Sequence, residues 1–402
     1  MDALWIRHFT AASALGLGCE ATRAALQSGR SALAPCSFQG AQLRTWVGEV
    51  AGVDAVRLPA ALADYDCRNN RLAQLALSQD GFAELARERI ARWGARRVGV
   101  FMGTSTSGVR ETEIAYRQRD TQTGALPRGF EYRRVHNAFA LTDYVRRALG
   151  ALGPAVTICT ACSSSAKVFA AAQRMLAADL IDAAVVGGVD SLCLTTLYGF
   201  QSLQLTAPGP CRPFDRSRDG LSISEAAGFA WLERAGDQSE GSDILLLGAG
   251  ESSDAHHMSS PHPEGAGARR AMQAALQAAQ LDARDVDYIN LHGTGTPSND
   301  AAEARAVHAL FGSAVPCSST KGASGHALGA AGALEAVICA LALQAALMPG
   351  GLNTREPDES LPVHYLTANQ RAPLARVLSN SFGFGGANCA LLFARADAAR
   401  SG

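Results

Sequence analysis

The sequence is poor in aromatic residues, at 6%, and poor in charge, at 18% Asp, Glu, Lys and Arg, while 48% of it is hydrophobic. That balance excludes a disordered chain, which would lack the apolar area to offset chain entropy. No excess of one sign exists either: 36 Lys and Arg stand against 37 Asp and Glu. A polyanion has no field to be held by, so no nucleic acid partner is expected. The longest apolar run, 337–348, is too short to span a bilayer and contains Gln344. Asp2, Arg7 and His8 interrupt the N-terminal apolar stretch, which a signal peptide core does not tolerate. The expectation is a soluble protein with no membrane partner. Ten cysteines without repeated pairs read as reduced thiols of a cytosolic (cytoplasmic) chain. HExxH, P-loop and GxSxG motifs are absent, as is any tandem repeat, which removes the commonest hydrolase and nucleotide readings and the solenoids.

What is present is length and small residues. The chain has 402 residues, enough for two domains or one large layered unit, and 40 of them are Gly. Short apolar runs at 97–102, 182–189, 243–247, 286–291 and 387–393 read as buried strands. Longer segments at 70–93, 164–179, 267–280, 300–311 and 329–348 read as helices. Their alternation predicts an α/β fold of parallel strands with crossover helices. A two-fold echo runs through it: a strand at 155–159, a turn of small residues and an apolar helix recur as 315–318, a Gly-rich turn and the helix from 329. Two related βαβ-rich halves, 1–238 and 239–402, joined in the polar stretch 235–242, account for the echo.

Four segments carry possible chemistry. Thr160-Ala161-Cys162-Ser163-Ser164-Ser165 places a cysteine at a helix N-terminus, where free N–H groups and the helix dipole lower a thiol pKa. The plain alternative is a buried structural cysteine. Cys159 and Cys162 form a CxxC, but no second one completes a metal site and the strand end separates the pair, so no metal is expected. Asn290-Leu291-His292-Gly293-Thr294-Gly295-Thr296 puts a histidine at a strand end, where α/β proteins place their sites. Ser319-Thr320-Lys321-Gly322-Ala323-Ser324-Gly325-His326 holds a lysine and a histidine in a turn too Gly-rich to be chosen for packing. Asn380-Ser381-Phe382-Gly383-Phe384-Gly385-Gly386 exposes backbone N–H groups suited to an oxyanion, and its spacing is not GxGxxG.

In this order the four segments resemble the β-ketoacyl-ACP synthases, condensing enzymes of fatty acid and polyketide synthesis. Arg212-Pro213-Phe214-Asp215 and Ser252-Ser253-Asp254-Ala255-His256-His257-Met258 extend the resemblance over nearly the whole chain from Gly99. It implies a thiolase-like fold in α-β-α-β-α layers. The Cys-His-His pattern is similar to that of elongating synthases using acyl-ACP. By resemblance, Cys162 is acylated, the backbone N–H groups of Cys162 and Phe384 form the oxyanion hole, and His292 and His326 stabilise the enolate left when malonyl-ACP loses CO2. Lys321 holds the histidine geometry and charge, and Glu335 matches a structural or ion-associated carboxylate. Thr294 and Thr296 meet the phosphopantetheine arm, and Phe200 and Phe384 match gating positions of the acyl pocket. Thr106 stands in a small, polar pocket lining. Arg68 and Arg71 match basic positions that meet the acidic carrier protein, while Gln204 stands near an arginine that related enzymes offer it. Residues 103–108 and 191–198 also look like synthases of aryl polyene clusters. No cofactor is implied beyond the carrier's phosphopantetheine arm. The implied assembly is a homodimer, or a heterodimer with a chain-length-factor-like subunit. Two other readings stand beside this one: a non-catalytic partner subunit of that kind, and a degradative thiolase, for which Cys389 would be the second cysteine.

Overall fold

The computed structural model describes residues 3–235 and 244–399. The expected boundary between halves, 238/239, lies outside them. Ten main strands are β1 (Leu4–Ser13), β2 (Val98–Gly103), β3 (Ala155–Ile158), β4 (Ala183–Asp190), β5 (Ala226–Arg234), β6 (Ile244–Ser253), β7 (Tyr288–Asn290), β8 (Pro316–Ser318), β9 (Arg376–Phe382) and β10 (Ala387–Arg395). With two short edge strands, Gly16–Leu17 and His364–Tyr365, they form one twelve-stranded sheet.

Its strand order repeats. From one end it runs β3-β2-β4-β5-β1, and from the other, inside the His364–Tyr365 edge, β8-β7-β9-β10-β6. In each run the first three strands are parallel and the last two antiparallel. The runs meet where β1 pairs antiparallel with β6. The sheet is therefore mixed, not parallel throughout as the alternation suggested. A tight turn such as 383–386 between β9 and β10 permits only antiparallel neighbours, since a parallel pair needs a crossover.

Of the helices among the described residues, seven build the layers: α1 (Arg68–Leu77), α2 (Phe82–Trp93), α3 (Phe139–Leu149), α4 (Ser164–Ala177), α5 (Ala266–Ala279), α6 (Pro297–Phe311) and α7 (Ala331–Ala345). The expected helix 70–93 is two helices, broken where Asp80 and Gly81 adopt φ of 53° and 68°. Asp80 is fixed there because its carboxylate accepts from Thr10 Oγ1 (2.7 Å) and Cys19 N (2.9 Å).

Alternate residues of each strand face different cores. Val98, Val100, Val185, Phe229 and Trp231 pack against α1, α2 and α3. Phe101, Ala184, Val186, Ala230 and Leu232 point the other way, onto α4 and α7. Those two helices also pack against Val377, Leu391 and Phe393 of the second half, so they form a central layer shared by both halves. On the far side Ile289, Leu378 and Leu392 meet α5 and α6. The result is the five-layer α-β-α-β-α arrangement. The central helices touch at Gly332, where a Cβ would lie 2.6 Å from the Ala166 nitrogen, so only glycine fits.

The apolar stretch around α7 is longer than the sequence reading allowed. Leu328–Ala345 is long and apolar enough to cross a membrane by length and composition, and 89% of it is buried inside the protein. It is the one such helix among the described residues, and it is the core of the central layer. Each large aliphatic side chain buried there contributes roughly 1.5–3 kcal/mol.

Candidate active site

Cys162 sits in the turn between β3 and α4. Ala161, just before it, has φ of 51°, a left-handed conformation that costs a β-carbon residue about 1–2 kcal/mol. The serines that follow hold the turn: Ser163 Oγ donates to Thr160 O (2.9 Å), Ser164 Oγ donates to Ala161 O (2.6 Å), and Thr160 N donates to Ser164 Oγ (2.9 Å). Cys162 is only 5% exposed, whereas Cys159 is exposed. All ten cysteines are free thiols.

The backbone N–H groups of Cys162 and Phe384 both act to lower the pKa of the Cys162 thiol. Phe384 reaches it because Gly383 passes against the nucleophile turn; a Cβ there would lie 2.7 Å from Thr160 O and 3.2 Å from Cys162 N. Burial nevertheless pushes the thiol up to about 11, against the pull of Lys321 and the two N–H groups. This corrects the expectation of a lowered thiol pKa. For a sulfur buried to this extent, desolvation of the thiolate outweighs the dipole of one helix.

The partners come from the other half. His326 Nε2 lies 3.0 Å from Cys162 Sγ. The His292 ring stands edge-on to His326, with centroids 5.3 Å apart. Both rings are buried, and burial followed by the Lys321 charge holds both pKa values well below the usual imidazole range, so both are neutral. Lys321 Nζ donates to His292 O (2.5 Å) and to Glu335, and lies 3.4 Å from His292 Nδ1. An ammonium only donates, so His292 Nδ1 is the acceptor and its proton resides on Nε2.

Two carboxylates that the sequence reading passed over hold the His292 turn. Glu303 accepts from the N–H groups of His292 and Gly293, both at 2.7 Å, and from Asn380 Nδ2 at 3.1 Å. Burial raises Glu303 to about 7 despite those donors. Asp300 accepts from Thr294 N (3.0 Å), Gly295 N (3.3 Å) and Phe214 N (2.8 Å). The available signal was two acids in the first turns of a helix directly after a Gly/Thr run rich in free N–H groups.

Cys162, His292 and His326 face one cleft, with Thr294, Thr296, Phe200 and Phe384 on its walls. Thr294 Oγ1 and Thr296 Oγ1 bond each other at 2.8 Å. The Phe200 and Phe384 rings lie tilted by 31° to each other, with centroids 5.4 Å apart. Thr106 departs from expectation. It is not a lining residue of this cleft, and its hydroxyl donates to Asp190 Oδ1 at 2.8 Å. The hydroxyls of Thr104, Ser105 and Thr106 all turn onto Asp190. Arg68 is a second correction: it is 1% exposed, bound to Glu225 (2.6 Å), Asp54 (2.9 Å) and Glu49 (3.1 Å), and offers no surface to a carrier. Arg71 is occupied by both oxygens of Asp66, at 2.6 and 2.5 Å.

The ligand atoms of Cys162, His292 and His326 lie within 4.8 Å of one another, close enough to bridge a metal ion. The Lys321 ammonium beside His292 opposes a cation there.

Residues 71–238 match the beta-ketoacyl synthase N-terminal domain and residues 245–355 its C-terminal domain. Nodulation protein E of Rhizobium meliloti (strain 1021) is 32% identical over 395 residues, 94% of this chain and 96% of that protein. The 3-oxoacyl-[acyl-carrier-protein] synthase 2 of Staphylococcus aureus (strain COL) is 33% identical over 324 residues, 76% of each chain. Among solved structures, a ketosynthase in complex with its chain length factor from Xenorhabdus doucetiae superposes with a TM-score of 0.89, at 37% identity and 98% coverage of both chains. With both family domains matched and the Cys-His-His trio on one cleft, the chain belongs to the β-ketoacyl synthase family of thiolase-like condensing enzymes.

Proposed function

We propose that this acyltransferase-type condensing enzyme joins an acyl chain held on Cys162 to a malonyl unit delivered by an acyl carrier protein. The observation that carries the reading is the convergence of the Cys162 thiol, two backbone N–H donors and two neutral imidazoles on one cleft. Cys162 attacks the incoming thioester while His326 Nε2 takes its proton and returns it to the leaving pantetheine thiol. The N–H groups of Cys162 and Phe384 stabilise the tetrahedral oxyanion. Malonyl thioester then binds with its carbonyl at the histidines. His292, protonated on Nε2, donates to the oxygen that gains charge as CO2 leaves. The resulting carbanion attacks the acyl-Cys162 carbonyl, and collapse releases the Cys162 sulfur and a 3-oxoacyl thioester. No general base of high pKa is needed, because loss of CO2 supplies the electron pair. Thr294 and Thr296 are assigned to the phosphopantetheine arm, and no further cofactor enters the reaction.

Carrier docking falls to arginines other than the two first expected. Arg44 and Arg355 are exposed and make no ion pair among the described residues; with Arg212 they line an open cleft. Arg212 packs on Gly295, between Thr294 and Thr296, so this basic cleft adjoins the catalytic one. A second subunit is the other proposed partner. Strand β3 ends the sheet with one edge unpaired, and Ile114, Tyr116, Tyr132, Phe139 and Leu152 are exposed. The similarity to a ketosynthase seated on its chain length factor favours a heterodimer alongside the homodimer. The deciding experiment is intact-protein mass spectrometry with a panel of acyl carriers, followed by malonyl carrier. A Cys162 adduct that disappears as 3-oxoacyl carrier forms supports the reading. No adduct with any chain, alone or with a partner subunit, would sink it.

A further inference from the structure

Asp190 closes β4 with no exposed surface, and six neutral donors converge on its two oxygens. Oδ1 serves the turn after β2 alone, and Oδ2 joins that turn to the one after His326. Oδ1 accepts from Thr104 Oγ1 (2.7 Å), Ser105 N (2.8 Å), Thr106 N (2.9 Å) and Thr106 Oγ1 (2.8 Å), all in the turn after β2. Oδ2 accepts from Ser105 Oγ (2.5 Å) and from Gly329 N (2.6 Å), three residues beyond His326. The second contact is sterically unforgiving. Leu328 has φ of 52°, and a Cβ on Gly329 would lie 2.7 Å from Asp190 Oδ2 and 2.9 Å from Ser105 N. A buried carboxylate with that many donors is a fixed point, since each lost bond leaves an unsatisfied group.

We propose that Asp190 is a positioning residue that registers the turn after His326 against the 103–108 turn through Oδ2 and so fixes the decarboxylation centre. The assignment rests on the condensing reading of the site. It goes beyond that reading in giving each oxygen a separate task. The Asp190 charge is also felt at the Cys162 thiol, where it raises the pKa against the pull of Lys321.

The test uses the full chain with Ser105→Ala, which removes a donor to Oδ2, Thr106→Val, which removes one to Oδ1, and Asp190→Asn. Ser105→Ala is expected to lower kcat for malonyl-carrier decarboxylation about fivefold, with a smaller change in KM for acylation of Cys162. Thr106→Val, which leaves both Oδ2 contacts in place, is expected to lower Tm while kcat for decarboxylation stays within about twofold of the parent. Asp190→Asn should move the pH profile of Cys162 alkylation by iodoacetamide to lower pH, because a charge that disfavours the thiolate is gone. A role confined to stability changes both kinetic steps in parallel with Tm. Equal effects of the two hydroxyl variants on both steps, or an Asp190→Asn profile superimposed on that of the parent, would overturn the proposal. Should Asp190→Asn not fold, the hydroxyl pair decides alone. Failure of the condensing reading would show separately, as a parent protein that neither acylates nor decarboxylates.

Discussion

In the first half, the turn after β3 presents a thiol at the head of α4; in the second half, the turn after β8 presents Lys321 and His326 ahead of α7. These turns occupy matching places in two strand orders that are otherwise alike, yet they are held differently. The Cys162 turn is tied by neutral hydroxyls, those of Ser163 and Ser164. The His292 and Lys321 turns are tied by buried carboxylates, those of Glu303, Asp300 and Glu335. One frame, built twice, carries the thiol in its first half and the lysine and both imidazoles in its second. Neither is a site alone. The distance of 3.0 Å between Cys162 and His326 exists only because α4 and α7 share one central layer.

The comparison is broken most completely from the nucleophile side. Cys162→Ala is expected to abolish condensation, a loss of about 10⁴-fold or more in product by carrier mass spectrometry, while Cys162→Gln still decarboxylates malonyl carrier. Condensation retained by either variant would remove Cys162 from its assigned role. From the other side, His292→Ala or His326→Ala should lower CO2 release roughly 10²–10⁴-fold while part of the Cys162 acylation survives. Loss of both steps to the same extent would mean that the halves are not divided as described.

Stability sharpens the contrast. Lys321→Ala strands Glu335 in the interior and is expected to cost roughly 3–5 kcal/mol in urea unfolding, more than Lys321→Met combined with Glu335→Leu. No single hydroxyl in the Cys162 turn should cost as much. The pH response comes next. Because the Cys162 pKa is raised, to about 11, the thiol stays protonated through neutrality and thiolate grows with rising pH. Its alkylation rate should still be climbing at about pH 10, where an ordinary thiol has levelled off. A plateau near pH 8 would show that the N–H groups and Lys321 outweigh burial after all. The smallest effect is expected at the surface: Arg44→Glu with Arg355→Glu should raise KM about tenfold for carrier-bound acyl substrate and leave KM for the free pantetheine thioester in place.

Much of this was written in the residues. The four Gly- and Ser-rich turns stood out because packing gives no reason for them, and all four line or support one cleft. Strands at 97–102 and 182–189 fell within a residue of β2 and β4, since buried parallel strands read as continuous apolar runs. Strands β1, β5 and β9 were missed. β1 and β5 pair antiparallel with strands distant in sequence, and small residues such as those in β5 carry no strong strand signal. Glu303, Asp300 and Asp190 were missed for a related reason: a carboxylate that caps backbone N–H groups looks, in sequence, like any polar residue at a helix or strand end.

The sequence by itself determined the family and the identity and order of the groups gathered at the cleft, because a thiol, an imidazole and an ammonium are chemical types that no fold can substitute. Tertiary structure decided everything that depends on surroundings. Burial raised the thiol that a helix N-terminus alone would have lowered, enclosed Arg68 among carboxylates, and turned the Thr106 hydroxyl onto Asp190. Desolvation and hydrogen-bond partners are set by neighbours far away in the chain, and only the packed halves bring those neighbours within reach.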